Sequence, residues 1–335
     1  MKFRTKLIGA AFAVTSTSML FAGSASAATI CFAFQDLETE FWVAGHQAIT
    51  TTLTEAGHTV IERNANEDAN RQLEQVRDCI AQGVDGIIII PQDGDSATTI
   101  VGEAQDNDVP IAVFNRPPSD LSKGIIVVAD NASIAAQAVD FVAQEAIAAN
   151  PDRMLTPMVI VGDLSDSNAV GRRDGFYEAI NRYADHFNPA IEVASEWDAA
   201  TALANLEAAI TANPDIDVLF TSSDFLFPTI RSVLEPRGMW VPAGEEGHVL
   251  MAGLDGDATA CQLIKDGYVD ATGVQDLYFE AEAAMDAILA AIEAGDAQPN
   301  EVIADPGFAL TSANIGEREM DMWGCVLLSE GFLDR

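Results

Sequence analysis

The sequence predicts an α/β fold of two doubly wound lobes, and three observations predict it. Four consecutive isoleucines, Ile87 to Ile90, stand between Gly86 and Pro91. The run is too short to cross a bilayer and too β-branched to favour a helix, so it reads as a strand buried on both faces, the kind found in parallel sheets. A second apolar run, residues 111–114, follows a segment, 95–106, of the length a crossover helix needs, with Asp95 or Ser96 near its N-cap. The alternation of strands and helices continues to Pro151 and then restarts; two successive sets mean two lobes rather than one barrel.

In the first set, a strand over 29–35 (TICFAFQ) leads through the loop DLETE into a helix over 41–56, closed by Gly57. A strand over 58–63 and a helix over 67–81, closed by Gly83, precede the isoleucine strand. A strand over 124–129 then passes through Asp130 and Asn131 into an alanine-rich helix over 133–149, which Pro151 blocks from continuing. The second set has strands over 156–161, 190–195, 217–221, 248–253 and 268–273, alternating with helices over 169–183, 199–212, 225–234 and 258–265. A helix over 277–294, a short extended piece over 301–304 and an irregular tail complete the chain. No low-complexity linker separates the halves, so the lobes are expected to touch along their length.

The 335 residues suffice for two lobes. Residues 1–27 read as a cleaved secretory signal: Lys2, Arg4 and Lys6 form the basic start, Leu7 to Val14 the apolar centre, and Ala25-Ser26-Ala27 the cleavage site. Cys31 lacks the residues that precede a lipoprotein cysteine, so a soluble exported protein is expected. The formal net charge is −35, and loss of the three signal cations takes the mature chain to about −38. Such a surface argues against nucleic acid or anionic lipid as partners. It reads as solvated acidic faces suited to a salty medium that screens self-repulsion, with only Lys123 and Lys265 left as lysines. Cys31, Cys79, Cys261 and Cys325 are an even number in an exported chain and allow two disulfides in three pairings. Separate lobes favour Cys31 with Cys79 and Cys261 with Cys325; the alternative is buried thiols, and no zinc-type spacing occurs.

In open α/β sheets, ligands bind beyond the carboxyl ends of the strands. Those ends carry Asp36, Glu38, Glu40, Phe41, Trp42, Gln92, Asp93, Asn115 and Arg116 in the first half. In the second they carry Asp163, Asp166, Asn168, Arg172, Trp197, Ser223, Asp224, Asp255 and Gln275. The set suits a small polyhydroxylated ligand, whose C–H faces stack on Trp and Phe while its hydroxyls accept from Arg and donate to Asp. Each residue also has a plainer reading. Phe41 and Trp42 could be core packing, Arg116 a surface ion pair, and one of Arg172 and Arg173 simply solvated. Asp255 could cap the following helix, and Asp224 the helix that starts at Phe225. The specific feature is their recurrence at successive strand ends in both halves.

Phe41-Trp42, IIPQDGDSA, VFNRP, VADN, NAVGRRDGF, SEWD, FTSSD, GLDGD and VQDL follow one another along the chain. In that order and spacing, the chain from Thr29 to about Pro306 resembles the periplasmic sugar-binding proteins of the ribose/galactose type, ABC transporter substrate-binding proteins of the type I periplasmic binding fold. The resemblance implies two Rossmann-like lobes joined by a three-crossover hinge, with crossings near Asp130, Gln275 and Asp305 and the ligand in the inter-lobe cleft. The first lobe would take 28–129 plus 276–304, the second 130–275 plus 305–335, which leaves each favoured disulfide within one lobe. Phe41 and Trp42 would stack on a sugar from the first lobe and Trp197 from the second. Asn115, Arg116, Arg172, Asp255 and Gln275 would hydrogen-bond its hydroxyls; Asp93 and Ser223 complete the expected ligand set. Ser223 stands where an Asn is usual, Leu254 where an aromatic is, and Thr39 where Asn or Asp often is, which leaves the sugar or sugar alcohol open.

The expected activity is capture by hinge closure and delivery to an ABC permease, by a monomer without cofactor or metal. A sensor presenting its sugar to a chemotaxis or kinase receptor is the alternative. A carbohydrate-active enzyme, with Asp93 and Asp255 as paired carboxylates, is less favoured. No G-x-G-x-x-G follows a strand, no phosphate-loop motif or calcium loop occurs, and His46, His58, His186 and His248 fall away from the strand ends. A sugar-sensing repressor would carry a helix-turn-helix where this chain has its export signal.

Overall fold

The computed structural model describes residues 27–330. The export signal expected over 1–27 lies outside these residues except for Ala27. The first eight elements to form strands and helices are β1 (Thr29–Phe34), α1 (Glu40–Glu55), β2 (Thr59–Asn64), α2 (Ala69–Gln82), β3 (Gly86–Ile89), α3 (Gly94–Asp106), β4 (Ile111–Phe114) and β5 (Gly124–Ala129). There follow α4 (Asn131–Ala149), β6 (Pro157–Val161), α5 (Ser167–Arg182), β7 (Ile191–Ala194), α6 (Ala199–Ala212), β8 (Val218–Thr221), α7 (Phe227–Leu234), β9 (Leu250–Asp255), α8 (Ala258–Lys265) and β10 (Ala271–Val274). The chain ends with α9 (Leu277–Ala294), β11 (Asn300–Asp305), β12 (Phe308–Thr311), α10 (Ile315–Arg318) and α11 (Trp323–Glu330).

The strands form two six-stranded sheets, ordered β11-β5-β4-β3-β1-β2 and β12-β10-β9-β8-β6-β7. All neighbours are parallel except β12, which runs antiparallel to β10. Parallel strands carry helices on both faces, and Ile87 to Ile90 are accordingly fully buried. Each such side chain contributes about 1.5–3 kcal/mol of burial free energy.

Three passages join the sheets. The chain leaves β5 of the first sheet for α4, which packs on β9 and β10 of the second; it returns from β10 through Gln275 and Asp276 to α9, which packs on β3, β4 and β5; it crosses again from β11 to β12 through Pro306 and Gly307. A Cα trace that passes three times can bend there without breaking either sheet.

Several local expectations are corrected. Asp93, rather than Asp95 or Ser96, caps α3, its carboxylate accepting from Ser96 N at 2.7 Å. Asp224 is not an N-cap. It begins a 3-10 turn, Asp224–Leu226, that carries the chain into α7, and its side chain points inward to accept from Gly256 N at 2.7 Å and Thr272 Oγ1 at 2.8 Å. Gly253 makes this possible: a Cβ there would fall 2.0 Å from Asp224 Oδ1. The cap of α8 is Asp257, whose carboxylate accepts from Ala260 N, so Asp255 is free of that role.

The tail is not irregular. β12 closes the edge of the second sheet, and α11 lies on α8, tied to it by the disulfide Cys261–Cys325. The other disulfide, Cys31–Cys79, ties β1 to α2. The bridges span 64 and 48 residues, lengths at which chain-entropy arguments assign each about 4 kcal/mol. Reduction, or Cys261→Ala with Cys325→Ala, is expected to lower the melting temperature by roughly 10 °C. A melting curve unmoved by reductant would contradict it.

Candidate functional site

The carboxyl ends of both sheets face one cavity of about 720 Å³ between the lobes. Phe41, Trp42, Asp93, Asn115 and Arg116 line it from the first lobe, and Arg172, Trp197, Ser223 and Asp255 from the second. Gln275 is not on its wall. It is fully buried at the passage from β10 to α9, where its Oε1 accepts from Arg172 Nη2 at 2.8 Å. Its place is therefore one layer behind the cavity surface.

The first turn of α1 places the aromatics of the first lobe. Thr39, at the N-cap, accepts from Trp42 N, so the chain enters the helix with Phe41 and Trp42 at the cavity wall. Phe41 packs edge-on to Trp42, with ring centroids 4.9 Å apart, and to Trp323 of the second lobe at 5.9 Å. It is mostly buried, so it serves both the core and the wall. Arg116 lies over the Trp42 ring, 5.4 Å from its centroid. Its Nη1 donates to Gln92 O at 2.7 Å and to Gln35 Oε1, and its Nε faces Asp166 Oδ2 across the cleft at 3.3 Å.

Trp197 holds the opposite wall. Its Nε1 donates to the same Asp166 Oδ2 at 3.2 Å, and Glu196 and Trp197 adopt positive φ of 52° and 56° to turn the ring inward. The ring lies flat against the backbone at Gly162, where a Cβ would come within 2.3 Å of it. Gly162→Ala is expected to push the indole out of the cleft while leaving the sheet intact. Tryptophan fluorescence reads the displacement, and an unchanged spectrum would contradict it.

Arg172 is the most heavily engaged group. It is 5% exposed, and Nε donates to Asn131 Oδ1 at 2.7 Å, Nη1 to Ser222 O at 2.7 Å, and Nη2 to Gln275. Nη1 also pairs with Asp255 Oδ1 at 2.8 Å, while Ser223 Oγ donates to Asp255 Oδ2. Asp255 has φ of 138°, an unusual backbone for a non-glycine residue, held by these bonds and by Trp323 Nε1, which donates to its carbonyl at 2.9 Å. Among the described residues, the neighbouring Arg173 pairs only with the adjacent Asp174.

Burial raises the carboxyl of Asp255, opposed by the charge of Arg172. Asp224, beneath the cleft, is pushed up to about 7 by burial and by the charge of Asp255. Asp257 is raised well above its ordinary range by burial, then by Asp224 and Glu40.

Sequence reasoning missed Asn131 and Gln35 as members of this assembly. Asn131 donates to Asn168 Oδ1 at 3.1 Å, and Asn168 donates to Asn115 Oδ1 at 3.2 Å, which joins the lobes at the cleft base. Both missed residues sat at the ends of recognised elements, in VADN and TICFAFQ, and their amides were the available signal. A second contact joins the lobes beside the cleft: Glu40 accepts from Ala258 N and Thr259 Oγ1, each at 3.1 Å, at the N-terminus of α8.

Two α/β lobes, three chain passages and strand ends converging on one polar, aromatic-walled cavity define the solute-binding class of protein. The chain belongs to the periplasmic binding protein domain family, whose model matches residues 30–297. It is 24% identical over 247 residues to the ribose import binding protein of Bacillus subtilis strain 168, covering 74% of this chain and 76% of that one. It is 25% identical over 287 residues to the D-xylose-binding periplasmic protein of Escherichia coli K12, covering 83% and 81%. Among solved structures, a galactofuranose binding protein superposes with a TM-score of 0.76 at 20% identity, covering 88% of this chain and 99% of that one. A Bacillus halodurans ABC transporter solute binding protein with bound myo-inositol superposes with a TM-score of 0.77 at 21% identity, covering 89% and 99%.

Proposed function

We propose that the protein is a periplasmic solute-binding protein that captures a monosaccharide or sugar alcohol by hinge closure and delivers it to an ABC permease. The observation that carries this reading is the meeting of Trp42, Arg116, Arg172 and Trp197, drawn from both lobes, around a single cavity. Two indole faces and two guanidinium groups offer a sugar ring its stacking surfaces and its hydroxyl donors. Micromolar capture needs only about 8 kcal/mol. The names of the relatives, one a ribose import binding protein and the other a D-xylose-binding periplasmic protein, support the same reading. Transport is favoured over hydrolysis because the carboxylates of the enzymatic alternative are committed elsewhere. Asp93 caps α3 and Asp255 is held by Arg172 and Ser223, which commits both members of that pair to structural roles.

A thermal-shift panel of pentoses, hexoses and polyols tests it, since a ligand of the folded state raises the melting temperature by mass action. At least one member is expected to raise it, and Trp197→Ala is expected to remove most of that rise. Trp240 is stacked on Tyr268 inside the second lobe at 5.6 Å, remote from the cavity lining. Trp240→Ala should therefore lower the baseline melting temperature but keep the ligand-induced rise. Equal loss of the rise in both variants would count against the site.

A further inference from the structure

Within the proposed function, we infer that the cleft selects polyols by charge, ranking amino-substituted ligands above neutral ones and neutral ones above acids, with Glu38, Glu67 and Glu196 setting the order. The wall carries ten carboxylates against two guanidinium groups. Both guanidinium charges are already opposed by a carboxylate, Arg116 by Asp166 at 3.3 Å and Arg172 by Asp255 at 2.8 Å, so the wall keeps a net negative charge. Most of the other wall acids are occupied as caps or turn acceptors, as Asp93, Asp163 and Asp198 are. Glu38, Glu67 and Glu196 are different. They line the cavity from both lobes, are exposed, and among the described residues accept no side-chain hydrogen bond and form no ion pair, although the charge of Arg116 is felt at Glu67.

Like charges meet at this mouth. Burial raises the Glu67 carboxyl from its ordinary range, and the charges of Glu38 and Asp36 raise it further, opposed in part by the charge of Arg116. An incoming ammonium relieves that repulsion and meets indole faces that also attract cations, whereas a carboxylate or phosphate adds to it. Low-dielectric cleft walls focus the field, so the discrimination acts on encounter as well as on the bound state.

The test uses matched trios: D-glucosamine, D-glucose and D-glucuronate; D-galactosamine, D-galactose and D-galacturonate; and 1-amino-1-deoxysorbitol, sorbitol and gluconate. Affinities are measured by calorimetry at low and at high salt, on the whole mature protein and on the triple variant Glu38→Gln, Glu67→Gln, Glu196→Gln. In any trio that binds, the amine is expected to bind about fivefold or more tighter than the neutral member at low salt, the scale of exposed charge pairs. The acid is expected to bind weakest, and the amine-to-neutral ratio should fall toward one in the triple variant and in high salt. Neutral sugars that bind as well as their amines, or acids that bind best, would overturn the charge ranking and leave sugar capture standing. No binding by any member of the three trios, with a panel of other neutral sugars also silent, would sink both.

Discussion

Replacing Arg172 by methionine is expected to abolish ligand binding and to destabilise the second lobe by about 3–5 kcal/mol, the cost of leaving one member of a buried ion pair alone. The reason lies in what the guanidinium holds. It pairs with Asp255, fixes the amides of Asn131 and Gln275, and satisfies the Ser222 carbonyl, while remaining largely buried at the cavity wall. Without it, Asp255 is a buried carboxylate that has lost its cation and keeps only neutral donors, Ser223 Oγ and the Asp224 backbone N–H, and the strained backbone at Asp255 loses one of its anchors. Arg172→Lys keeps the charge but cannot reach four partners with a planar fork, so it should recover part of the stability and little of the affinity. Arg173→Met supplies the control. That side chain hydrogen-bonds to Asp174 at the surface, and its loss should change neither the melting temperature nor the affinity appreciably. Calorimetric titration and thermal melts on the three variants decide the matter; similar effects at 172 and 173 would contradict it.

The second large effect is a pH dependence with an unusual sign. Buried Asp224 has its proton affinity raised from an ordinary value of 3.8 to about 7, by burial first and by Asp255 second. A carboxyl raised in the folded state binds its proton more tightly there than in the unfolded chain. Below pH ~4 both states are protonated and the group costs nothing; as pH rises toward ~7 the unfolded chain ionises first, and stability is lost. Asp257, raised in the same direction, adds to the effect. The protein is therefore expected to gain stability on mild acidification from pH 8 to pH 5, the opposite of what salt-bridged carboxylates do.

Asp224→Asn isolates the cause. Its amide oxygen can keep the Gly256 N–H, and its nitrogen can donate to Thr272 Oγ1, so the variant copies the protonated acid. It should be more stable than the wild type at pH 8, by several degrees in melting temperature, and close to it at pH 4.5. Parallel stability curves for the two proteins across this range would rule the explanation out.

What the sequence showed depends on how local the determinants are. The helices over 199–212, 258–265 and 277–294 have bounds that match the observed elements, and the isoleucine strand is offset by one residue at each end, because their apolar patterns lie within the segment and each helix's acidic cap directly before it. β12 and α11 were invisible for the opposite reason: one exists by pairing with the edge of β10, the other by packing on α8 and bonding to Cys261. The candidate site divides in the same way. Strand-end positions can be counted along the chain, which is why Trp42, Arg116, Trp197 and Asp255, all on the cavity wall, are legible in the sequence. Depth could not be counted. Arg172 and Arg173 are adjacent and chemically identical, and only the helix's rotation buries the first and leaves the second at the surface. Gln275 and Asp224 likewise sit at strand ends, yet both turn into the interior, where a neighbouring side chain rather than a ligand uses them.

A crystal structure of the protein with the sugar or polyol that raises its melting temperature most would test the shared cleft most directly. The ligand should lie between the indoles of Trp42 and Trp197, with its oxygens within hydrogen-bond reach of Arg116 and Arg172. Density for that ligand outside the space between the two indoles, or a bound state in which Trp42 and Trp197 face different cavities, would contradict the account.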